Sequence, residues 1–253
     1  MPAAAPISAP ALRRRDRVAI LGALAGVTAL AWTYLLAMAG MDGMDALHAW
    51  GPLDAALMLV MWLVMMVGMM LPTATPMTLL YAQVARKARR DGSVLPPTAV
   101  FVTGYLLAWG AFSVAATAAQ WGLERMALLS PMLVANSPRL GAGLLIAAGA
   151  YQLTPWKDAC LARCRDPFSF FARHFRPGTR GALGLGFRHG LDCLGCCWLL
   201  MGLLFVGGVM NLLWIAALSA FVLAEKVIPH GVWGGRVAGA LLIAAGALLL
   251  VRS

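Results

Sequence analysis

The residues with the clearest chemical potential lie in one short stretch of the sequence. It reads HGLDCLGCC and carries an imidazole, a carboxylate and three thiols, on His189, Asp192, Cys193, Cys196 and Cys197. Residues three and four apart lie on one face of an α-helix, so a helix here would present these groups together. Thiolates favour Cu(I), Zn and iron–sulfur clusters over hard cations, and neighbouring thiols can exchange disulfides. The stretch therefore predicts a soft-metal site or a redox site.

Two further thiols lie upstream, at Cys160 and Cys164. Four thiols from two segments would match a closed zinc site. A single free cysteine is usually a small buried hydrophobe, but five cysteines in two tight groups favour metal or redox chemistry. We predict that all five thiols bind Cu(I) or Zn, with His189 or Asp192 in support.

Methionines form a third soft feature. Four of them recur at helical spacing, at Met58, Met61, Met65 and Met69, and thioethers also select Cu(I). The alternative is adaptable apolar packing, which is the usual role of methionine. If the protein transports the ion, this row would be its access path. An outer collection point would then be formed by Met38, Met41, Met44 and His48.

The elements that position these groups are predicted to be transmembrane helices. The chain has 253 residues, of which 61% are hydrophobic and 12% charged, whereas soluble domains carry about 25% charged residues. Its mean hydropathy is +0.80. Apolar runs of about 20 residues recur, which is the length that crosses a bilayer. The fold class predicted is an all-α, polytopic transmembrane bundle of about seven spans, at residues 18–40, 53–71, 98–121, 139–155, 189–207, 209–225 and 234–251.

The net charge of +10 resides mainly in alternate connections between these runs. Basic residues in short connections mark the cytoplasmic side of a membrane protein, so we expect no nucleic-acid partner. The same rule predicts a cytoplasmic N-terminus and an outer C-terminus. Residues 1–17 would be a cytoplasmic tail, and residues 18–253 a single transmembrane domain.

The long connection 156–188 mixes phenylalanines with arginines. This composition is typical of a segment at the headgroup boundary, bound to anionic lipid. An ordinary solvated loop is the alternative. Glu225 and Lys226, which close the sixth predicted span, are interpreted as a juxtamembrane ion pair or as snorkelling anchors.

An internal repeat is also predicted. The letters LLIAAGA occur at Leu144–Ala150 and again at Leu241–Ala247. Copies separated by three spans would be inverted, as in several transporter folds. Chance similarity between Ala, Leu and Gly runs is the alternative.

The chain resembles a known family in a set of motifs. They are Met61-Trp62, Met65-Met66, Met69-Met70-Leu71-Pro72, Gly104-Tyr105, Tyr151-Gln152, Pro155, Lys157, Cys160, Cys164, Gly190, Cys193, Gly195-Cys196-Cys197-Trp198, Met201, Met210-Asn211, Trp214 and Glu225-Lys226. With these, about residues 50 to 250 resemble the bacterial predicted metal-binding integral membrane proteins, a family classed as a domain of unknown function. The resemblance implies metal binding and a multi-pass location in the bacterial plasma membrane.

Together these patterns predict a membrane protein that binds Cu(I) or Zn through a cytoplasmic-side cysteine cluster, for transport or delivery. The expected partners are the lipid bilayer and a metal chaperone or another membrane protein. An enzyme is the less favoured class, since no phosphate loop, dinucleotide fingerprint, zincin motif or nucleophile elbow occurs. The alternatives are a thiol–disulfide relay with a quinone or thioredoxin partner, and a structural or assembly subunit of a membrane complex.

Overall fold

The computed structural model describes residues 12–39, 51–130, 133–228 and 231–252. Within these ranges all regular secondary structure is helical, and the only β-type pairing is an isolated bridge between Leu129 and Ala135. The predicted all-α class is therefore confirmed. The α-helices are α1 (Arg14–Ala39), α2 (Pro52–Met70), α3 (Thr75–Arg90), α4 (Thr98–Arg125), α5 (Pro138–Gln152), α6 (Pro155–Arg165), α7 (Pro167–His174), α8 (Gly178–Gly202), α9 (Leu204–Gly207), α10 (Leu212–Val227) and α11 (Gly231–Arg252).

In the part of the chain that the structure describes, five helical segments are long and apolar enough to cross a membrane. They are α1, α2, α4, α11 and the continuous segment Gly178–Gly207 formed by α8 and α9. The predicted spans 139–155 and 209–225 correspond to α5 and α10, which have only 15 and 16 residues. A helix of that length falls short of the about 20 residues that a full crossing needs. The number of seven spans is therefore only approximate.

The connection 156–188 is not a loop, which corrects the boundary predicted for the fifth span. This span was expected to begin at residue 189, but α8 already begins at Gly178, and α6 and α7 precede it. Thr154 caps α6 by accepting a hydrogen bond from the amide of Lys157. Asp166 caps α7 through the amide of Ser169. Polar caps of this kind satisfy amides that have no partner within the helix.

The central core is formed by α2, α4 and α8. Close approach of α4 and α8 depends on glycines, since a Cβ on Gly190 would lie 2.6 Å from the Cβ of Ala108 and 2.9 Å from the carbonyl oxygen of Tyr105. Small residues at such contacts allow helices to pack tightly in lipid. The five cysteines and most of the methionine row lie in or against this core.

The two LLIAAGA segments lie on α5 and α11, and these two helices pack against each other. A Cβ on Gly246 would lie 2.9 Å from the carbonyl oxygen of Ala142, so these backbones are also close. The inverted repeat itself stays a prediction. Of the predicted outer collection point, Met41, Met44 and His48 lie outside the described residues.

Candidate metal centre

The cysteine cluster is assembled from α6 and α8. A hydrogen bond joins the thiols of Cys164 and Cys196. Cys160 lies against Gly195, where its Sγ would be 2.8 Å from an added Cβ, so glycine makes room for the thiol. Tyr151 donates a hydrogen bond of 2.5 Å to the carbonyl oxygen of Gly195, which ties the end of α5 to α8. The structure thus brings the two predicted thiol groups together, and all five cysteines are free.

Cys193 is the most polar point of this cluster. Lys226 of α10 donates a hydrogen bond of 2.8 Å to its Sγ, and the hydroxyl of Tyr105 lies 3.0 Å from the same atom. The hydroxyl of Thr73 lies 3.8 Å away and also accepts a hydrogen bond from Lys226. An ammonium group beside a sulfur favours its thiolate form, which is the form that binds metals. The surroundings of Cys193 therefore suit a metal ligand.

The other thiols of α8 are hydrogen-bonded within their own helix. Cys196 and Cys197 donate to the carbonyl oxygen of Cys193 at 3.0 and 3.1 Å. These bonds use the i–3 and i–4 geometry expected from the sequence spacing. Rotation about one side-chain bond would release either sulfur from this contact, so both are near Cys193 without being committed to a strong partner.

The two cysteines of α6 are held in the neutral form. Burial raises the pKa of Cys160, and the nearby Asp192 carboxylate acts in the same direction. The hydrogen bond to Cys196, together with burial, raises the pKa of Cys164. Both groups are therefore thiols at neutral pH, and each would release a proton on binding a metal.

His189 and Asp192 have other partners than the thiols. The buried imidazole of His189 lies among the rings of Phe101, Tyr105 and Phe170, and its Nδ1 has no hydrogen-bond partner in the described part of the chain. Asp192 accepts a hydrogen bond of 2.6 Å from Arg163. Their predicted role as supporting ligands stays a prediction.

The methionine row is buried beside the cluster. Met61, Met65 and Met69 have no more than 1% of their surface exposed, whereas Met58 is half-buried and accepts a hydrogen bond of 3.4 Å from Gln120. At the far end of α2, the carbonyl oxygen of Met70 accepts a hydrogen bond from Tyr105, which in turn contacts Cys193. The row therefore leads to the cysteine cluster through one continuous core.

Glu225 and Lys226 are not interfacial anchors, contrary to the interpretation from the sequence. Glu225 is buried in an ion pair with Lys157 and accepts a further hydrogen bond of 3.3 Å from Gln152. Lys226 reaches in the other direction, to Cys193. The sequence feature that indicates these contacts is a charged pair at the end of an apolar run. Ionisable groups near a membrane core are costly, so they usually mark functional or structural contacts.

Tyr105 and Thr73 also belong to the centre, although no chemical pattern in the sequence selects them. Each is a common residue within an apolar run, and only the packing of α4 and the turn after α2 against α8 brings them to Cys193. In the described ranges, no three or more His, Cys, Asp or Glu side chains are arranged to hold a metal ion together. The cluster therefore offers soft ligands in small number, and not a preformed four-ligand site.

These features define a helical protein of membrane-spanning dimensions with a buried thiol cluster. The chain belongs to the PpoB2 family, described as a copper chaperone, whose model matches residues 59–249. No curated protein and no solved structure matches the chain. The resemblance to a metal-related family agrees with this finding, and the family description names copper.

Proposed function

We propose that this chain is a membrane-embedded copper chaperone that holds Cu(I) on its cysteine cluster and delivers it to a partner. The observation that carries the proposal is the contact of Lys226 with Cys193, inside a group of thiols supplied by α6 and α8. A positive charge at this point stabilises a thiolate, and thiolates select Cu(I).

Membrane residence is supported by the surface as well as by helix length. Several large apolar side chains on α1, α10 and α11 are mostly exposed, including Leu30 at 71%, Leu213 at 81% and Leu241 at 65%. An extended apolar surface of this kind is unfavourable in water, and lipid chains would cover it. The charged residues that remain buried are paired, as a low-dielectric environment requires.

Copper fits the donor set better than zinc. Structural zinc sites use four tetrahedral ligands, and the described residues provide no preformed group even of three His, Cys, Asp or Glu side chains. Cu(I) is softer and also accepts thioether ligands. Cys193 is the central ligand in this proposal, and one or two of the remaining thiols, Cys160, Cys164, Cys196 and Cys197, complete the low coordination number of Cu(I).

Transport is a second form of the same proposal. It rests on the continuity between the methionine row and Cys193 in one core. In this form Met58, Met61, Met65 and Met69 pass Cu(I) along α2 by exchange between thioethers, and the thiols receive it. Delivery alone needs only the cysteine cluster.

The test is the copper content of protein purified without oxygen and loaded with Cu(I). We expect about one equivalent in the wild type and its loss in Cys193→Ser/Cys196→Ser/Cys197→Ser, because a hydroxyl is a poor ligand for a soft cation. Ala148→Ser is the matched control, since it places a hydroxyl at a buried position of the same core. It should keep its copper.

Two results would contradict the proposal. Absence of copper with five freely titrating thiols would favour a structural subunit. Absence of copper with paired, reducible thiols would favour the thiol–disulfide relay. Thermal unfolding of the triple variant and of the control shows whether lost copper reflects lost ligands or lost structure.

A further inference from the structure

A cavity of about 850 Å³ opens beside the cysteine cluster. It lies between α6, α7 and the first half of α8. Its apolar lining includes Phe170, Phe187 and Leu191, and its charged lining includes three arginines, Arg163, Arg173 and Arg188. Its volume falls within the about 300–1,000 Å³ of small-molecule sites. The cavity thus has room for a ligand with both apolar and anionic parts.

The charges around this cavity favour an anion. Residues 156–192 contain seven Lys or Arg and three Asp. The two acidic groups in the lining are engaged. Asp192 is paired with Arg163, and Asp166 accepts hydrogen bonds from the side chain and the amide of Ser169, which lower the pKa of Asp166. Arg188 has no ion-pair partner within the described ranges. A bare cation is therefore repelled, whereas an anion is attracted.

The ion pair of Arg163 and Asp192 lies in the cavity wall and acts on a cysteine of the cluster. Arg163 and Asp192 line the cavity and hydrogen-bond to each other. Each directly precedes a cysteine of the cluster, Cys164 and Cys193 respectively. Cys160 is close enough to respond to both charges. A ligand seated in the cavity thus contacts the two charges that act on Cys160.

We propose that this cavity docks copper as an anionic Cu(I)–thiolate complex of a small thiol that carries carboxylates. The inference rests on the proposed function, and it names the form in which the copper arrives. Arg173 and Arg188 bind the carboxylates, which matches the geometry that guanidinium groups recognise. The apolar lining contacts the remainder of the donor.

The transfer is a ligand exchange without a redox step. A bond between copper and the donor sulfur breaks, and a bond between copper and the sulfur of a protonated cysteine of the cluster forms. The proton of that thiol passes to the departing donor thiolate, and copper stays Cu(I) throughout. The freed donor leaves as a neutral thiol with its carboxylates still charged.

The first experiment compares two copper donors, the glutathione complex of Cu(I) and the acetonitrile complex, which carries no negative charge. The variant Arg173→Gln/Arg188→Gln should load about tenfold more slowly than the wild type from the glutathione complex, since it loses electrostatic attraction. From the acetonitrile complex, which is a cation, the variant should load at least as fast as the wild type, because two repelling charges are removed. The control Arg89→Gln/Arg90→Gln removes two exposed charges at the end of α3 and should match the wild type with both donors.

The second experiment measures docking without metal. S-methylglutathione keeps the carboxylates but has no free thiol, and calorimetry should show that it binds the metal-free wild type and not Arg173→Gln/Arg188→Gln. Equal loading of wild type and variant from the glutathione complex would overturn the inference and leave the proposed function intact. Failure to load from either donor would instead contradict the proposed function. Calorimetry would then still decide whether the cavity binds such anions.

Discussion

Lys226 is the residue on which the chemistry of the centre depends most. Its ammonium group lies 2.8 Å from the sulfur of Cys193 and 3.3 Å from the hydroxyl of Thr73. Hydrogen bonds to charged groups contribute about 1.5–3 kcal/mol, more than neutral ones. Because the site is buried and this ammonium group contacts the sulfur directly, its charge strongly favours a negative charge on Cys193.

Lys226→Met should therefore weaken Cu(I) binding by about ten- to a hundredfold, as a loss of about 1.5–3 kcal/mol implies. Lys226→Arg should lose less, since the charge remains although the shape of the group differs. The measurement is competition with a Cu(I) chelator of known affinity. Lys87→Met, which removes a positive charge from the last turn of α3, is the control. Unchanged affinity in Lys226→Met would show that Cys193 does not need this ammonium group.

At this scale the sequence predicted the thiols but not their surroundings. Cysteines at positions i, i+3 and i+4 directly predict that their thiols share one helix face. Lys226 and Tyr105 lie on α10 and α4, far from Cys193 along the chain. Their contacts with one sulfur depend on how three helices pack, which periodicity in one segment does not encode.

Among the elements, α8 begins 11 residues before the predicted start of the fifth span, at Gly178 instead of residue 189. Its first turns contain Gly181, Gly184 and Gly186, and glycine lowers helix stability by about 0.5–1 kcal/mol per residue relative to alanine. The segment therefore resembled a loop. Gly186 and Gly190 are needed because α8 passes so close to α4 that a Cβ at either position would meet the α4 backbone. Glycines therefore make this helix difficult to predict from the sequence, and glycines also allow it to pack closely against α4.

Gly190→Ala should destabilise the fold by about 1–3 kcal/mol, the usual cost of overpacking, and should displace the following turn, which carries Cys193. Copper stoichiometry should fall with it. Gly184→Ala lies on the same helix and meets nothing within 4 Å, so it should be neutral or slightly stabilising. Chemical denaturation in detergent and copper analysis of both variants test this. Equal behaviour of the two would mean that α4 and α8 tolerate a wider separation.

Across the whole molecule, charged residues that the sequence assigned to one side meet in pairs. Arg86 at the end of α3 pairs with Asp16 at the start of α1, and Arg236 of α11 lies 3.1 Å from Asp158 of α6. Arg165 donates to the carbonyl oxygen of Ile228, just after α10. The predicted cytoplasmic connections therefore converge, as expected if all of them leave the bilayer on the same side.

Reporter fusions test this topology. A reporter active only in the cytoplasm should work before Met1 and fail after Ser253, and a reporter active only outside should do the reverse. The expectation for the termini holds for five spans and for seven, because both numbers are odd. The side of the connection 156–188 depends in addition on whether α5 crosses the membrane, so a third reporter within this connection tests the predicted cytoplasmic position of Cys160 and Cys164. Both termini on one side would contradict the predicted orientation.

Two neighbouring residues of α10 contact two different helices. Glu225 forms an ion pair with Lys157 at the start of α6, and Lys226 donates a hydrogen bond to Cys193 on α8. The end of α10 is therefore a shared support for both helices that supply thiols. Thermodynamic linkage requires that such effects be reciprocal. If copper at Cys193 changes the strength of the Lys157–Glu225 ion pair, that ion pair must change the affinity for copper by the same factor. A partner that binds α6 and changes this ion pair could thus lower the affinity for copper without contacting any of the sulfurs.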